Sequence, residues 1–297
     1  MTANNDNILT KVKHHKKSYD AISPSRPELS QTGKVILVTG ASEGIGYAIA
    51  RGFGLAGAAK VIITGRRQSA LDEAVVSLSL TSQTTFVARV QDASDIIDIE
   101  SFWKSLDDEG VVVGVLVLNV ARISPPGSIV DIGYKEVIAD LGTNVGGVAA
   151  AAHFFYHQKK RDSTRKLSLI GISTMAIHDF DAAGFVPNYS ASKSAGAILV
   201  QQIAKGVPAD DMQVVNFHPG AIFTSVAKKA GYTSETLPWD DADLPGHYAV
   251  WAASDEAKFL HGRFTWAAWD VDEISSGSIR ERITNDSNYL KVGVVGI

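Results

Sequence analysis

The chain has 297 residues, a formal net charge of -4 and 45% hydrophobic residues, which suffice for a substantial core. The acidic balance disfavours a nucleic-acid partner and an anionic membrane surface, because both require clustered positive charge. No apolar run reaches the length of a membrane span. The absence of cysteine excludes disulfides and thiolate metal sites, and with the absence of an apolar leader it predicts a cytoplasmic protein.

The first 30 residues form a polar N-terminal arm. Pro24 and Pro27 interrupt any helix, so we expect an extended segment that lies over the body of the protein. The basic stretch KVKHHKK at residues 11–17 is expected to be a solvated tail rather than a binding patch. We assign residues 31–297 to a single domain, since no repeat or flexible linker divides them.

Apolar runs of strand length alternate with segments of helical periodicity from residue 35 onward. Each predicted strand is apolar throughout, which indicates a parallel sheet buried on both faces. The fold class is therefore α/β, a single Rossmann-type doubly wound parallel sheet with helices on both faces. The predicted strands cover residues 35–40, 61–65, 86–90, 111–119, 166–173 and 212–217, and the predicted helices cover 45–57, 71–78, 94–107, 132–157 and 188–205.

A glycine-rich loop, TGASEGIG, lies between the first strand and its helix. Glycines permit close approach of the backbone, and the amides at the start of a helix receive a pyrophosphate group. The position after the first strand of an alternating pattern predicts a dinucleotide site. The predicted cofactor contacts in this loop are Gly40, Ser42, Gly44, Ile45 and Gly46.

The end of the second strand reads Thr64-Gly65-Arg66-Arg67. A site for NAD places an acidic residue here, whereas a guanidinium binds the 2′-phosphate of NADP. We therefore expect Arg66 to favour NADP, with NAD as the alternative. Glu43 opposes this preference, since its charge repels a nearby phosphate. In a second interpretation, Arg66 and Arg67 simply begin a solvated helix.

Residues 187–197, PNYSASKSAGA, place a phenol and an amine four residues apart among small side chains. On a helix this spacing puts Tyr189 and Lys193 on one face, one turn apart. Taken alone, the spacing also fits a surface helix that carries the two residues by chance.

TGASEGIG and YSASK together resemble the motifs of the short-chain dehydrogenase/reductase family. The resemblance covers about residues 33–270, and the segments at 18–30 and 251–273 are most similar to fungal members. It implies an enzyme that transfers hydride between a nicotinamide cofactor and a carbonyl or alcohol group. The substrate stays open among polyketide, terpenoid and simple carbonyl compounds.

The resemblance also implies catalytic roles. Tyr189 matches the proton donor and acceptor, and Lys193 matches the cation that lowers the pKa of the phenol and contacts the nicotinamide ribose. The hydroxyl that polarises the carbonyl matches Thr174 by position. Ser173 remains an alternative, because the segment up to Tyr189 is about two residues longer than is common in the family. Asn144 matches the residue that interrupts a helix and holds a water on the proton path to Lys193.

Further cofactor contacts follow from the same resemblance. Asn119, in Leu118-Asn119-Val120-Ala121, keeps one Asn of the family motif and is expected to brace the sheet and the cofactor. Asp92 matches an acidic residue near the adenine, or caps the helix that begins near Ser94. Family positions place the segments 177–185 and 227–244 beside the substrate. The remaining expected cofactor contacts, on a Pro-Gly turn, are Pro219, Ile222 and Thr224.

The favoured function is an NADP(H)-dependent oxidoreductase that interconverts a carbonyl and an alcohol. A redox-sensing cofactor-binding protein, and a dehydratase or isomerase of the same fold, are the alternatives. We expect a homodimer or homotetramer formed through the long helices, where the small residues 148–152 permit close contact. No metal site is expected, because His218 and the paired histidines of the arm lack ligand spacing.

Overall fold

A computed structural model describes residues 8–181, 184 and 186–294. Within these residues seven parallel strands form one sheet in the order β3-β2-β1-β4-β5-β6-β7. The predicted α/β parallel sheet is confirmed, with the addition of β7, which the apolar pattern did not reveal. The strands are β1 Val35–Thr39, β2 Lys60–Gly65, β3 Thr85–Val90, β4 Val115–Leu118, β5 Leu167–Ile172, β6 Met212–His218 and β7 Arg263–Trp266.

Helices cover both faces of the sheet. Alternate residues of β1 show this, because Ile36 and Val38 belong to one buried core and Leu37 to the other. Such double burial explains why the central strands are predominantly apolar. The helices are α1 Gly44–Leu55, α2 Gln68–Ser79, α3 Ile96–Glu109, α4 Ile129–Ile132, α5 Tyr134–Leu141, α6 Val148–Tyr156, α7 Pro187–Gly206, α8 Ser225–Lys229, α9 Asp243–Ala252, α10 Val271–Ile274 and α11 Gly277–Asn285.

The single long helix predicted for residues 132–157 is wrong. Gly133, with a φ of 82°, separates α4 from α5. A π-helix, Gly142–Gly147, then separates α5 from α6. The apolar residues keep helical spacing across both breaks, so the sequence pattern does not reveal them. The π-helix is where Asn144 lies.

The basic stretch of the arm is not a solvated tail, and that prediction is wrong. His14 forms an antiparallel bridge with Trp269, and the His15 ring lies 2.8 Å from the Asp270 carboxylate. Further along the arm, Ile22 and Leu29 are fully buried in the main core. The sequence pattern does not reveal these anchors, because the few apolar residues of the arm are too widely spaced to produce a periodic pattern.

The strand order reverses direction between β1 and β4, which lie side by side in the sheet. The carboxyl ends of these strands open a crevice, the usual ligand position in a doubly wound sheet. Of the helices in the described part of the chain, none has the length and apolar character needed to cross a membrane.

Candidate active site

A cleft of about 980 Å³ lies at the carboxyl edge of the sheet. It brings together most of the residues predicted from the sequence and leaves three of them outside its lining, namely Asn144, Thr174 and Ile222. The predicted residues that line the cleft are Gly40, Ser42, Gly44, Ile45, Gly46, Arg66, Asp92, Asn119, Ser173, Tyr189, Lys193, Pro219 and Thr224.

The glycine loop closes tightly between β1 and α1. Gly44 adopts a φ of 62°, a conformation that side chains rarely take. A Cβ on Gly46 would collide with the carbonyl oxygen of Gly40 and lie 2.6 Å from the Asn119 amide nitrogen. No side chain caps the first amides of α1. The loop therefore exposes backbone N–H groups to the cleft, as an anion site requires.

Asn119 ties this loop to the neighbouring strand β4. Its side-chain amide donates to the carbonyl oxygens of Thr39, at 2.9 Å, and of Gly40, at 3.0 Å. Its backbone N–H donates to the Thr39 hydroxyl at 3.0 Å. The residue braces the sheet as expected, and it fixes the two halves of the crevice against each other.

Two arginines lie where β2 ends. Arg66 and Arg67 line the cleft next to Gly65. Arg67 is also 3.4 Å from Glu43, and both side chains are exposed. The Glu43 charge is thus partly balanced by Arg67, which reduces its repulsion of an anion in the cleft.

Asp92 does not cap a helix. The cap of α3 is Asp95, whose side chain accepts from the backbone N–H groups of Ile97 and Asp98. Asp92 instead accepts from the N–H of Ser94 at 2.9 Å and from its hydroxyl at 2.7 Å. Burial raises the pKa of Asp92, but the bonds from Ser94 and the Arg66 charge outweigh it and hold the pKa below the usual value. Asp92 is therefore a carboxylate at the rim of the cleft.

Tyr189 and Lys193 lie one turn apart on α7, and both line the cleft. The Lys193 ammonium donates to the carbonyl oxygen of Ile172 at 2.6 Å. Burial raises the pKa of the Tyr189 phenol to about 12 and lowers the pKa of the Lys193 ammonium to about 8. Burial therefore dominates the phenol pKa in the protein without cofactor, and the lowering by Lys193 stays a prediction.

The hydroxyls of Ser173 and Thr174 have different surroundings at the end of β5. The Ser173 hydroxyl is enclosed and has no hydrogen-bond partner among the described residues, and Ser173 lines the cleft. Thr174 is partly exposed, and its oxygen accepts from the N–H of Ala176 at 3.3 Å. Both hydroxyls stay candidates: Ser173 lines the cleft with an enclosed oxygen, whereas Thr174 lies outside the lining and donates no hydrogen bond within the described contacts.

Asn144 lies in the π-helix and is almost fully buried. Its side chain accepts from the N–H of Arg122 at 2.8 Å and donates to the Arg122 carbonyl at 2.9 Å. It also donates to the Ser192 hydroxyl at 2.9 Å. A Cβ on Gly196 of α7 would lie 2.6 Å from the Asn144 carbonyl oxygen. The Asn144 side chain thus joins the end of β4 to α7 and has both amide protons engaged.

A buried acid, Asp140 on α5, was missed by the sequence analysis. Its carboxylate receives hydrogen bonds from the Arg122 guanidinium, the Ser124 hydroxyl and, at 2.7 Å, the Asn188 amide. Asn188 immediately precedes Tyr189. The available signal was Arg122, the one charged residue of the stretch 119–130. A partly buried arginine favours an acidic partner.

The turn of residues 219–224, here called the cofactor turn, closes the cleft opposite the glycine loop. Pro219 and Thr224 line the cleft, while Ile222 is almost fully buried behind them. The Thr224 hydroxyl caps α8 by accepting from Ala227, and a Cβ on Gly44 would meet Thr224 at 3.3 Å. Of the two segments expected beside the substrate, residues 182, 183 and 185 lie outside the described residues.

The comparisons with known proteins agree with this geometry. A family model described as short chain dehydrogenase matches residues 34–235. A short chain dehydrogenase/reductase of Claviceps purpurea is 34% identical over 280 residues, which cover 94% of this chain and 91% of the relative. The NADP-dependent (R)-specific alcohol dehydrogenase of Lentilactobacillus kefiri is 32% identical over 77% of this chain and 93% of its own length.

The fold comparison agrees as well. The active-site complex of Pseudomonas aeruginosa RhlG with NADP superimposes with a TM-score of 0.73 at 20% identity, covering 81% of this chain and 97% of that one. The fold and the cleft define a nucleotide-binding oxidoreductase. The chain belongs to the short-chain dehydrogenase/reductase family. The predicted similarity to fungal members is confirmed by the Claviceps relative.

Proposed function

We propose that this enzyme uses NADP(H) to interconvert a carbonyl compound and an alcohol. One observation carries the proposal. A single cleft joins the glycine loop, the arginines after β2 and the Tyr189–Lys193 pair. The proton chemistry and the nucleotide site therefore share one space.

The residues present fit a nicotinamide dinucleotide. The backbone packs so closely at Gly46 that it leaves no room for a Cβ, and the first amides of α1 are uncapped. This tight loop and its free amides can bind a pyrophosphate. The cofactor turn would hold the nicotinamide, and Lys193 the adjoining ribose. When bound, the cofactor supplies or accepts the hydride.

The arginines after β2 support NADP over NAD. Arg66 and Arg67 both line the cleft, and the charge of Glu43 is engaged by Arg67. A planar guanidinium matches a phosphate in a bidentate manner, whereas the ribose hydroxyl of NAD calls for a carboxylate. The Lentilactobacillus relative, named as NADP-dependent, adds support.

In carbonyl reduction, hydride adds to the carbonyl carbon while Tyr189 donates its phenolic proton to the oxygen. The Thr174 hydroxyl donates a hydrogen bond to the same oxygen, which polarises the carbonyl bond. The Lys193 ammonium stabilises the phenolate left on Tyr189. In alcohol oxidation the proton returns to Tyr189. Asn144 acts through its bonds to Arg122 and Ser192, which hold α7 in position.

The test is a panel of ketones and aldehydes with NADPH and with NADH, run on the wild type and on Tyr189→Phe. We expect turnover with NADPH in the wild type and a loss of about 100-fold or more in Tyr189→Phe, because the proton donor is missing. Tyr47→Phe is the matched control, since its hydroxyl bonds Ser77 outside the cleft. Tight cofactor binding without turnover of any carbonyl would refute the catalytic proposal.

We also propose a homo-oligomer in solution. The small residues 148–152 are poor candidates for the contact, because Ala151 and Ala152 are buried within the subunit core. The surface of α4 and α5 is a better candidate for the subunit contact, because it exposes the apolar side chains of Val130, Tyr134 and Ile138. Sedimentation at micromolar concentration is the measurement, and a mass near 31.6 kDa would refute the proposal. The cytoplasmic location stays a prediction.

A further inference from the structure

Asp240 contacts the backbone of the cofactor turn at several points. Its backbone N–H donates to the Ala221 carbonyl at 2.8 Å, and its carboxylate accepts from the Ala221 N–H at 2.9 Å. Ile222 pairs with Asp240 in a parallel bridge. Gly220 has a φ of 95°, and a Cβ there would lie 2.5 Å from the Asp240 carboxylate. Both polar groups of the Ala221 backbone thus depend on this one residue.

Asp240 is in turn held by the N-terminal arm. The Lys16 ammonium lies 3.3 Å from the second Asp240 oxygen and donates to the Pro238 carbonyl at 2.7 Å. The Lys16 carbonyl accepts from the N–H of Asp241 at 2.7 Å. The Asp240 side chain is only 11% exposed, whereas that of Lys16 is 62% exposed. The contact therefore places a mostly enclosed carboxylate between the arm and the turn.

The arm is anchored on its other side. The N–H of His15 donates to the Ala268 carbonyl at 2.7 Å, and the N–H of Asp270 donates to the Lys13 carbonyl at 3.0 Å. The N–H of Lys13 donates to the Glu273 carboxylate at 2.8 Å. Residues 13–16 therefore connect two parts of the protein. Lys13 and His15 are hydrogen-bonded to the chain after β7, and Lys16 is bonded to the segment that contacts the cofactor turn.

We infer that Lys16 and Asp240 are positioning residues that hold the cofactor turn in its binding shape. The inference rests on the proposed function, since it assigns a role to a turn that binds cofactor there. Asp240 fixes the Ala221 backbone, and Lys16 fixes the orientation of the Asp240 carboxylate. A turn that is ordered before the cofactor arrives binds more tightly, because less conformational entropy is lost on binding.

The test uses point variants of the full chain, measured by dissociation constants for NADPH and NADH. Lys16→Met should weaken binding about two- to fivefold, as expected for a partly exposed ion pair. Asp240→Asn should weaken it about tenfold, because the bond from the Ala221 N–H is no longer charge-assisted and the ion pair with Lys16 is removed. Lys17→Met is the matched control, a neighbouring exposed lysine for which the structure describes no contact.

Two further readouts separate positioning from general stability. In the Asp240→Asn background, Lys16→Met should have little further effect, because Lys16 acts through Asp240. Hydrogen exchange at Ala221 in the cofactor-free protein should be faster in Lys16→Met than in Lys17→Met. The melting temperature of the cofactor-free Lys16→Met protein should stay close to that of Lys17→Met.

The outcomes are distinguishable. Equal dissociation constants and equal exchange in Lys16→Met and Lys17→Met would overturn the inference, even if Asp240→Asn failed to fold. Additive effects of the two substitutions would overturn the action of Lys16 through Asp240. If the wild type bound neither cofactor, the proposed function would fail instead, while faster exchange at Ala221 in Lys16→Met would still establish the coupling of arm and turn.

Discussion

The side-chain amide of Asn188 donates a hydrogen bond of 2.7 Å to the buried carboxylate of Asp140. Asn188 is the residue before Tyr189, and Asp140 also receives the guanidinium of Arg122 from the end of β4. A continuous set of hydrogen bonds therefore joins the central strand of the sheet to the first turn of α7. The position of the phenol depends on an acid that never contacts the substrate cleft.

Asp140→Ala should lower the free energy of unfolding by about 2 kcal/mol, because it removes the buried acceptor shared by Arg122, Ser124 and Asn188, while Arg122 keeps its pair with Glu136. It should also lower kcat, since Tyr189 loses its support. Urea unfolding and steady-state kinetics are the measurements. The control is Asp108→Ala, which breaks an exposed pair with Lys104 and should leave the free energy of unfolding nearly unchanged. Equal destabilisation by the two variants would contradict the prediction.

Thr174→Val should lower kcat for carbonyl reduction about 100-fold, because it removes a hydrogen-bond donor to the developing oxyanion while keeping the side-chain shape. Ser173→Ala should leave kcat nearly unchanged, since the Ser173 hydroxyl is enclosed. Thr174→Ser should retain most of the activity. The opposite pattern, with the loss in Ser173→Ala, would assign the hydroxyl to Ser173.

Carbonyl reduction should slow above about pH 8. The Tyr189 phenol, with a pKa of about 12, keeps its proton through the neutral range, so Lys193, with a pKa of about 8, is the group that titrates. Loss of its charge removes the stabilisation of the phenolate. The profile of kcat/KM for a ketone between about pH 6 and pH 10 is the measurement. A profile that stays flat to the alkaline end would contradict the assignment.

The same titration has a consequence for stability that needs no substrate. Lys193 has a pKa of about 8 when folded, below the 10.5 of an unperturbed lysine, so the unfolded chain binds more protons between these values. The folded state therefore gains stability as pH rises through that window. Relative to Lys193→Met, the wild type should gain about 1 kcal/mol between pH 8 and pH 9, and the gain should end near pH 10.5. An unchanged difference between the two proteins at pH 8 and pH 9 would exclude the lowered pKa.

Gly46→Ala should weaken cofactor binding more than about tenfold, because its Cβ would strike the Gly40 carbonyl and displace the loop. Gly142→Ala is a matched control. Gly142 has helical dihedral angles, and a Cβ there would have no heavy atom within 4 Å, so alanine should be neutral or slightly stabilising. Titration with NADPH measures both. Similar affinities in the two variants would show that the loop tolerates a side chain.

The sequence predicted the parallel sheet and most of the cleft because buried strands and short motifs leave local signals. The six predicted strands are mostly apolar, and each of the motifs TGASEGIG and YSASK is a single contiguous stretch. Asp140 could not be found in the same way, since its partners Arg122 and Asn188 lie 18 and 48 residues away. Strand β7, with only Arg263–Trp266, is too short for its pattern to be distinguished from a loop.

The breaks around the π-helix illustrate a second limit. The apolar residues of 132–157 keep helical spacing, and only the bonds of Asn144 to Arg122 show why the backbone departs from it. The prediction of a solvated tail in the arm was wrong for a related reason. Its polar residues bond to backbone groups and side chains more than 200 positions away, which composition does not encode.

The distance along the chain between the arm and its partners also determines when the cofactor turn is completed during biosynthesis. Lys13 and Lys16 are translated early, whereas the groups they bond lie 222 to 260 positions later. Closing so large a loop must wait until the last third of the chain has left the ribosome. The arm is therefore made long before the groups to which it docks, and a nascent chain that stops before β7 lacks the residues that anchor the arm at Lys13 and His15.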